Sequence, residues 1–356
     1  MTLSALVSAG AVVAMLSVFV TPRVWAQGAT NPCDLTDYDP TIRPDPEGQP
    51  TVVRIGIYVV EIDQVDNVEQ SFRVDFFVLV SWNDARLGEV VHNGGRNRCF
   101  FSRLAVWEPR LVLFNRRDLT PQLPDVVTVE ADGNARWVQR FYGDLRSPLD
   151  LRDFPLDSQV LPLTAVSIEY SPDEVRLGFD EASATRGDDL LIPGWHVDHE
   201  THLSDTMETR TAAPTTPGRR FARFHYAYHV SREVSYYIWR VILPLTFIVC
   251  MSWAVFWIHP SMAAVQIGLG ATSILTLIAF LFSLNNVLPP LSYLTRMDFF
   301  LFFSLALVFL AFSEAVATAV LGSSDREKLA VRFDRTARWV FPCLYVFIHA
   351  IVWNVG

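Results

Sequence analysis

From residue 238 onward the chain carries four apolar runs long enough to cross a bilayer, and the second is patterned unlike the others. The first, Ile238–Ile258, is entered through Tyr236, Tyr237 and Trp239, residues that favour the membrane–water boundary, and it tolerates Pro244. His259-Pro260-Ser261 is a very short connection to the second, placed at 262–287 and closed by Pro289-Pro290. The third falls at 294–321 and the last at 337–355, near the ~17-residue lower limit for crossing. The second run mixes Gly268, Gly270, Thr272, Ser273 and Thr276 with Leu275, Ile278 and Phe282, and ends in Asn285-Asn286. A helix that faces only lipid has no use for such residues. One that lines a narrow wet passage does, because hydroxyls replace part of an ion's hydration and bulky apolar side chains can expel water.

Upstream the period changes from helical to alternating. Val52–Glu61 and Phe72–Trp82 are rich in Val, Ile and Phe, with Asp66-Asn67 supplying a turn between them. Further strand-like runs are Leu104–Phe114, Val126–Glu130, Ala135–Tyr142, Val160–Tyr170, Gly194–Met207 and Arg220–Val230. Pro121, Pro124, Gly133, Pro148, Pro172, Pro214 and Pro217 separate most of them, and no helical stretch of comparable length competes. The pattern predicts a β-sandwich over 27–235 and an antiparallel four-helix bundle over 236–356. The fold class is therefore an α+β multidomain membrane protein.

Residues 1–26 read as an export signal, with an apolar run from Leu3 to Val20 ahead of Val24-Trp25-Ala26; a fifth spanning helix is the alternative. Arg326, Lys328, Arg332, Arg335 and Arg338 between the last two runs mark that connection as cytoplasmic. Counting back three spans puts 27–235 outside.

Composition then narrows the classes. A hydrophobic fraction of 51% suits one membrane and one exported domain, and a net charge of −9 argues against a nucleic-acid partner. Of four cysteines, Cys250 and Cys343 lie in apolar runs, while Cys33 and Cys99 are exported and are free either to pair or to remain thiols. There is no nucleophile elbow, phosphate-binding Gly-rich loop or strong metal motif, so neither an enzyme nor a cofactor is expected. His196, His199 and His202 invite a metal reading. On a regular strand, however, His196 and His202 face one side and His199 the other, which favours ordinary polar surface. Glu314 lies deep in the third run, where an ionisable group is costly and often functional.

Phe154-Pro155-Leu156-Asp157, Trp82-Asn83-Asp84 and Trp107-Glu108-Pro109, followed by four spans with a polar second one, resemble the pentameric ligand-gated ion channels, the Cys-loop receptor superfamily. Eukaryotic members bracket the Phe-Pro loop with two cysteines. Ser147 and Leu161 stand at those positions here, so that disulfide cannot form. With the short Gly322–Lys328 connection, this looks like the prokaryotic branch, multi-pass in a bacterial inner membrane with its sandwich in the periplasm.

The resemblance implies a homopentamer in lipid whose second spans line the path of inorganic ions. A stripe of Val265, Gly268, Thr272, Leu275, Ala279, Phe282 and Asn286 would face the axis, with Leu275 and Phe282 as hydrophobic gates; a helix–helix seam is the alternative. Neither pore mouth carries charge, so selectivity by fixed charge is weak, and cations are the expected permeant ion. The resemblance also places an agonist site between subunits, at Phe77, Phe114, Ile168, Phe221 and Arg219. Ile168 stands where a cation-stacking aromatic often lies, so a proton or an anion fits better than an amine. Coupling of stimulus to pore is expected at Asp157 and Arg232, joined by Asp66 or Glu69 and Pro289. A membrane-anchored periplasmic sensor or a small-molecule transporter are the rival readings.

Overall fold

A computed structural model describes residues 33–45, 48–181, 190–208, 219–284, 291–322 and 326–354. The expected export signal, 1–26, and residues 285–290, with Asn286 and Pro289, lie outside the described residues.

Among the described residues, eleven strands form the N-terminal half. β1 (Thr51–Asp66), β2 (Ser71–Asn83), β3 (Arg98–Ser102), β6 (Val126–Glu130), β7 (Asn134–Arg146) and β9 (Val175–Phe179) make one sheet in the order β3-β6-β7-β2-β1-β9, with β5 (Arg116–Pro121) also on β7. β4 (Leu111–Leu113), β8 (Ser158–Ser167), β10 (Trp195–Glu208) and β11 (Arg220–Arg232) make the other, in the order β10-β11-β8-β4. All pairs are antiparallel except β1 with β9. In β1, Val53, Ile55, Ile57 and Val59 are buried while Val52 is exposed; alternation turns one face to the core.

Two expectations fail locally. Leu104–Phe114 is not one strand. Arg103–Ala105 is a helical turn, Trp107 is buried with Nε1 donating to the Tyr170 hydroxyl (2.8 Å), and Arg110 takes a positive φ of 51°. Pro109 offers no ladder donor, so only Leu111–Leu113 pairs. A helix was also missed, Ala85–Asn93, capped by Asp84 and packed through Leu87 and Val91. The Trp82 and Trp107 rings of the two motifs pack edge to face at 5.9 Å in the core.

Cys33 and Cys99 are bonded to each other. Ser147 closes the Phe-Pro loop without a disulfide, its hydroxyl donating to the Val160 carbonyl at 2.7 Å.

The β10 register corrects the histidine reading. Pairing with β11 skips Asp198, so His196 sits opposite Ser231 and His199 opposite His229. Ser231 and His229 share a face, as residues two apart on a strand do, and His196 and His199 therefore share it too. His202 faces the other way and stacks on Phe179 at 3.9 Å.

Among the described residues, four helices have the length and composition to cross a membrane: Ser235–Trp257, Pro260–Ser283, Arg296–Gly322 and Glu327–Asn354. In the first span a π turn, Ile238–Ile242, precedes Pro244, which cannot donate to the preceding turn. The last helix, at 28 residues, is about 42 Å long by its rise per residue and outreaches the ~30 Å hydrocarbon layer. Its N-terminal end carries Arg332, Arg335 and Arg338.

Candidate functional site

The second span has two unlike sides. Gln266, Gly270, Ser273 and Leu277 are buried against the rest of the subunit, at helical spacing. Gln266 Nε2 donates to the Ile258 carbonyl at 2.8 Å, tying this helix to the end of the first span. At Gly270 an added Cβ would lie 2.7 Å from the Phe312 ring, so glycine sets the approach to the third span. Val265, Gly268, Thr272, Leu275, Ala279 and Phe282 all lie on the side turned away from the subunit, and Leu275 and Phe282 are each 69% exposed. Thr272 and Thr276 donate their hydroxyl protons to the carbonyls of Gly268 and Thr272, each at 2.8 Å. The hydroxyl oxygens therefore present lone pairs outward.

The junction between sandwich and spans is built on Arg232, the last residue of β11. Its guanidinium meets Asp157 through two bonds, Nε to Oδ1 at 2.7 Å and Nη2 to Oδ2 at 3.0 Å. Both side chains are almost fully buried. The same guanidinium lies 4.0 Å over the Trp195 ring and 4.9 Å over Phe154, and reaches the Tyr237 hydroxyl at 3.3 Å. Its partner from the β1–β2 turn is Asn67 Oδ1, at 3.0 Å. Neither acid expected there makes that contact. Asp66 caps its own turn, accepting from the Val68 and Glu69 amides at 2.9 Å, and Glu69 pairs with Arg117 at 2.6 Å. An Asx turn satisfies the aspartate locally and leaves the next residue, asparagine, to reach across.

A second bridge went unread in the sequence. Arg296, at the start of the third span, pairs with Asp153 at 2.8 Å and donates to the Trp353 carbonyl at 3.1 Å. Its amide donates to Arg152, and the Met297 amide to Phe154, so the Phe-Pro loop seats on the head of that span. The Tyr293 hydroxyl adds a bond from the Leu151 amide at 3.0 Å. Opposite charges in the loop and at a span's first residue were the available signal.

The candidate agonist residues divide between the sheets. Ile168 and Phe221 lie where β8 ends and β11 begins; Arg219 sits 5.1 Å over the Phe221 ring and donates to the Glu169 carbonyl at 2.7 Å. Phe114 is exposed, its amide bonded to the Thr164 carbonyl farther along β8. Phe77 belongs to β2 in the opposite sheet, under the guanidinium of Arg140 at 5.4 Å. Within one subunit these residues do not form one cage. Charge dominates around Ile168: Arg110 pairs with Glu169 at 3.1 Å and with Glu108 at 3.4 Å, and Arg220 with Asp173 at 3.0 Å. Hydrogen bonds from Ser171, the backbone amide first, hold the Glu174 carboxyl below its usual range. On β11, burial and then the Arg223 charge push His225 down, while Arg223's hydrogen bonds lower Asp205.

In the third span the Glu314 carboxylate oxygens, and one from Asp334 on the last helix, are buried with no hydrogen-bond partner among the described residues.

Residues 33–235 match the family model described as the neurotransmitter-gated ion-channel ligand binding domain, and 241–328 match the neurotransmitter-gated ion-channel transmembrane region. A proton-gated ion channel of Gloeobacter violaceus is 26% identical over 97% of this chain and 91% of its own length. The gamma-aminobutyric acid receptor subunit theta of Mus musculus is 27% identical over 90% of this chain, which spans 50% of that subunit.

Proposed function

Because the chain belongs to the neurotransmitter-gated ion channels, membrane proteins opened by small molecules or protons, we propose that five copies of it surround a pore lined by their second spans. The observation that carries this reading is the split of that helix. Its buried stripe packs on its own subunit, while Val265, Gly268, Thr272, Leu275, Ala279 and Phe282 are exposed in that subunit. Four helices alone leave no central hole, so the uncovered stripe acquires a role only around a shared axis. Leu275 and Phe282 are the gates, whose apolar side chains dewet the closed path.

Cations are the permeant ions. With no charged ring in the stripe, the deciding group is Thr272, whose outward lone pairs favour a positive ion. The stimulus acts between subunits, where Phe77 of one meets Phe114, Ile168, Phe221 and Arg219 of the next. Their surroundings are carboxylates and guanidinium groups, which suits a proton or a carboxylate better than an amine. Arg232 and Asp157, with Asn67, carry the signal to the spans, and Asp66 holds the turn that presents Asn67. The sandwich faces the periplasm and the spans lie in a bacterial inner membrane.

Recording from the purified protein in a planar bilayer, with pH steps and asymmetric salt, tests this. Unitary currents that reverse near the cation equilibrium potential are expected. Saturable flux without unitary steps would reject a channel, and reversal near the anion potential would reject the selectivity.

A further inference from the structure

The bulge at Asp198 places side chains together that a regular strand would separate. Asp198 accepts a bond from the Ser231 hydroxyl at 2.9 Å, which puts it on the face that also carries His199 and His229. The two imidazoles lie directly across the strand pair, stacked with centroids 4.2 Å apart and planes 7° from parallel. His199 is exposed and His229 is half-buried, so the pair opens to solvent. His229 Nε2 lies 3.2 Å from the Thr201 hydroxyl.

We propose that His199 and His229 form a binding site for a borderline-soft divalent cation, zinc or copper, completed by water. Residues directly opposite on an antiparallel pair hold their Cβ atoms about 4.5–5.5 Å apart, close enough for one ion to reach both rings. The torsion that turns an imidazole about its Cβ–Cγ bond is soft, so opening the stack to aim two nitrogens at one point costs little. Thr201 supplies what a metal-bound histidine needs behind it. In the tautomer that donates Nε2–H to that hydroxyl, Nδ1 of His229 is left as the free base. The Asp198 carboxylate on the same face adds a favourable negative field.

Imidazole selects for zinc and copper over calcium and magnesium, which require oxygen ligands. Among the described residues no three His, Cys, Asp or Glu side chains converge on one point, so the protein supplies two ligands. The site ties β10 to β11 three residues before Arg232. On the channel reading, it would tether the strands that deliver the stimulus to the first span; the binding itself does not depend on that reading.

Calorimetric zinc titration of the full-length protein in detergent, with a size-exclusion profile for each variant, tests the proposal. Wild type is expected to bind one zinc per subunit, and His199→Gln or His229→Gln to weaken binding by more than about tenfold, since even outer partners of a metal-bound histidine are worth that much. His202→Gln, on the opposite face, leaves binding unchanged, and His199→Cys, which keeps a zinc ligand at the position, retains it. Unaltered affinity in both glutamine variants, or an equal loss in His202→Gln or His196→Gln, would overturn the assignment. In a bilayer, zinc is then expected to shift the stimulus response of wild type but not of His229→Gln.

Discussion

Arg232 and Asp157 face each other through two parallel hydrogen bonds in a space from which water is excluded, with Gln159 Nε2 on the same carboxylate at 2.7 Å. A guanidinium matches this fork and stacks on Trp195 and Phe154; an ammonium does neither. Losing one member of a buried pair strands the other charge, at a cost of ~3–5 kcal/mol. Arg232→Ala and Asp157→Ala are expected to lower the free energy of unfolding by that order, and the unfolding midpoint with it. Arg232→Lys should assemble yet respond poorly to the stimulus. Thermal unfolding alongside current recording checks both, and a normal response in Arg232→Lys would show that the fork is not required.

Gly270 and Phe312 make a steric prediction. With the ring 2.7 Å from any added Cβ, Gly270→Val is expected to destabilise the bundle by about 1–3 kcal/mol. Phe312→Ala should be additive elsewhere but should rescue Gly270→Val, because the two share one space. A double-mutant cycle on thermal unfolding reads the coupling; simple additivity would contradict the packing.

The Cys33–Cys99 bond closes a loop with a sequence separation of 66, so cutting it frees the unfolded chain by an amount worth ~4 kcal/mol in the loop-entropy picture. Cys99→Ser is expected to lower the unfolding midpoint of the sandwich while leaving ion permeation through assembled protein unchanged. Unfolding with and without reductant gives the comparison in wild type.

His225 makes stability depend on pH. Burial and Arg223 lower its folded value from 6.5, so below pH 6.5 the unfolded chain takes up a proton that the folded sheet resists. Its contribution is fully present above pH 6.5 and is lost as pH falls through the folded value. His225→Gln should flatten the fall in unfolding temperature on mild acidification. An unchanged slope would place the acid sensitivity elsewhere.

Much of this was legible in the residues. The switch from alternation to long apolar runs located both halves, and the mix of hydroxyls, glycines and bulky apolar groups singled out the second span. The resemblance, with helical spacing, named the stripe from Val265 to Phe282; that Gln266, Gly270, Ser273 and Leu277 form the buried side emerges only from the packing. What escaped depended on local geometry. Asp84 followed by Leu87 and Val91 signals the short helix Ala85–Asn93, but nine residues give a weak period. Asn67 displaced Asp66 because the turn consumes the aspartate. The bulge at Asp198 changes which histidines share a face without changing composition, and nothing in a single sequence marks it. The pairing of Asp153 with Arg296 joins residues far apart in the chain, and only the fold brings them together.

The claim beneath the functional account is that one side of the second span meets water. Cys250 and Cys343, both exposed and unbonded, would first be replaced by serine. Single cysteines from 265 to 282 would then be challenged with a charged thiol reagent during current recording. The account predicts block or modification at Val265, Gly268, Thr272, Leu275, Ala279 and Phe282, and silence at Gln266, Gly270, Ser273 and Leu277. Reactivity on the second set, or none on the first, would contradict it.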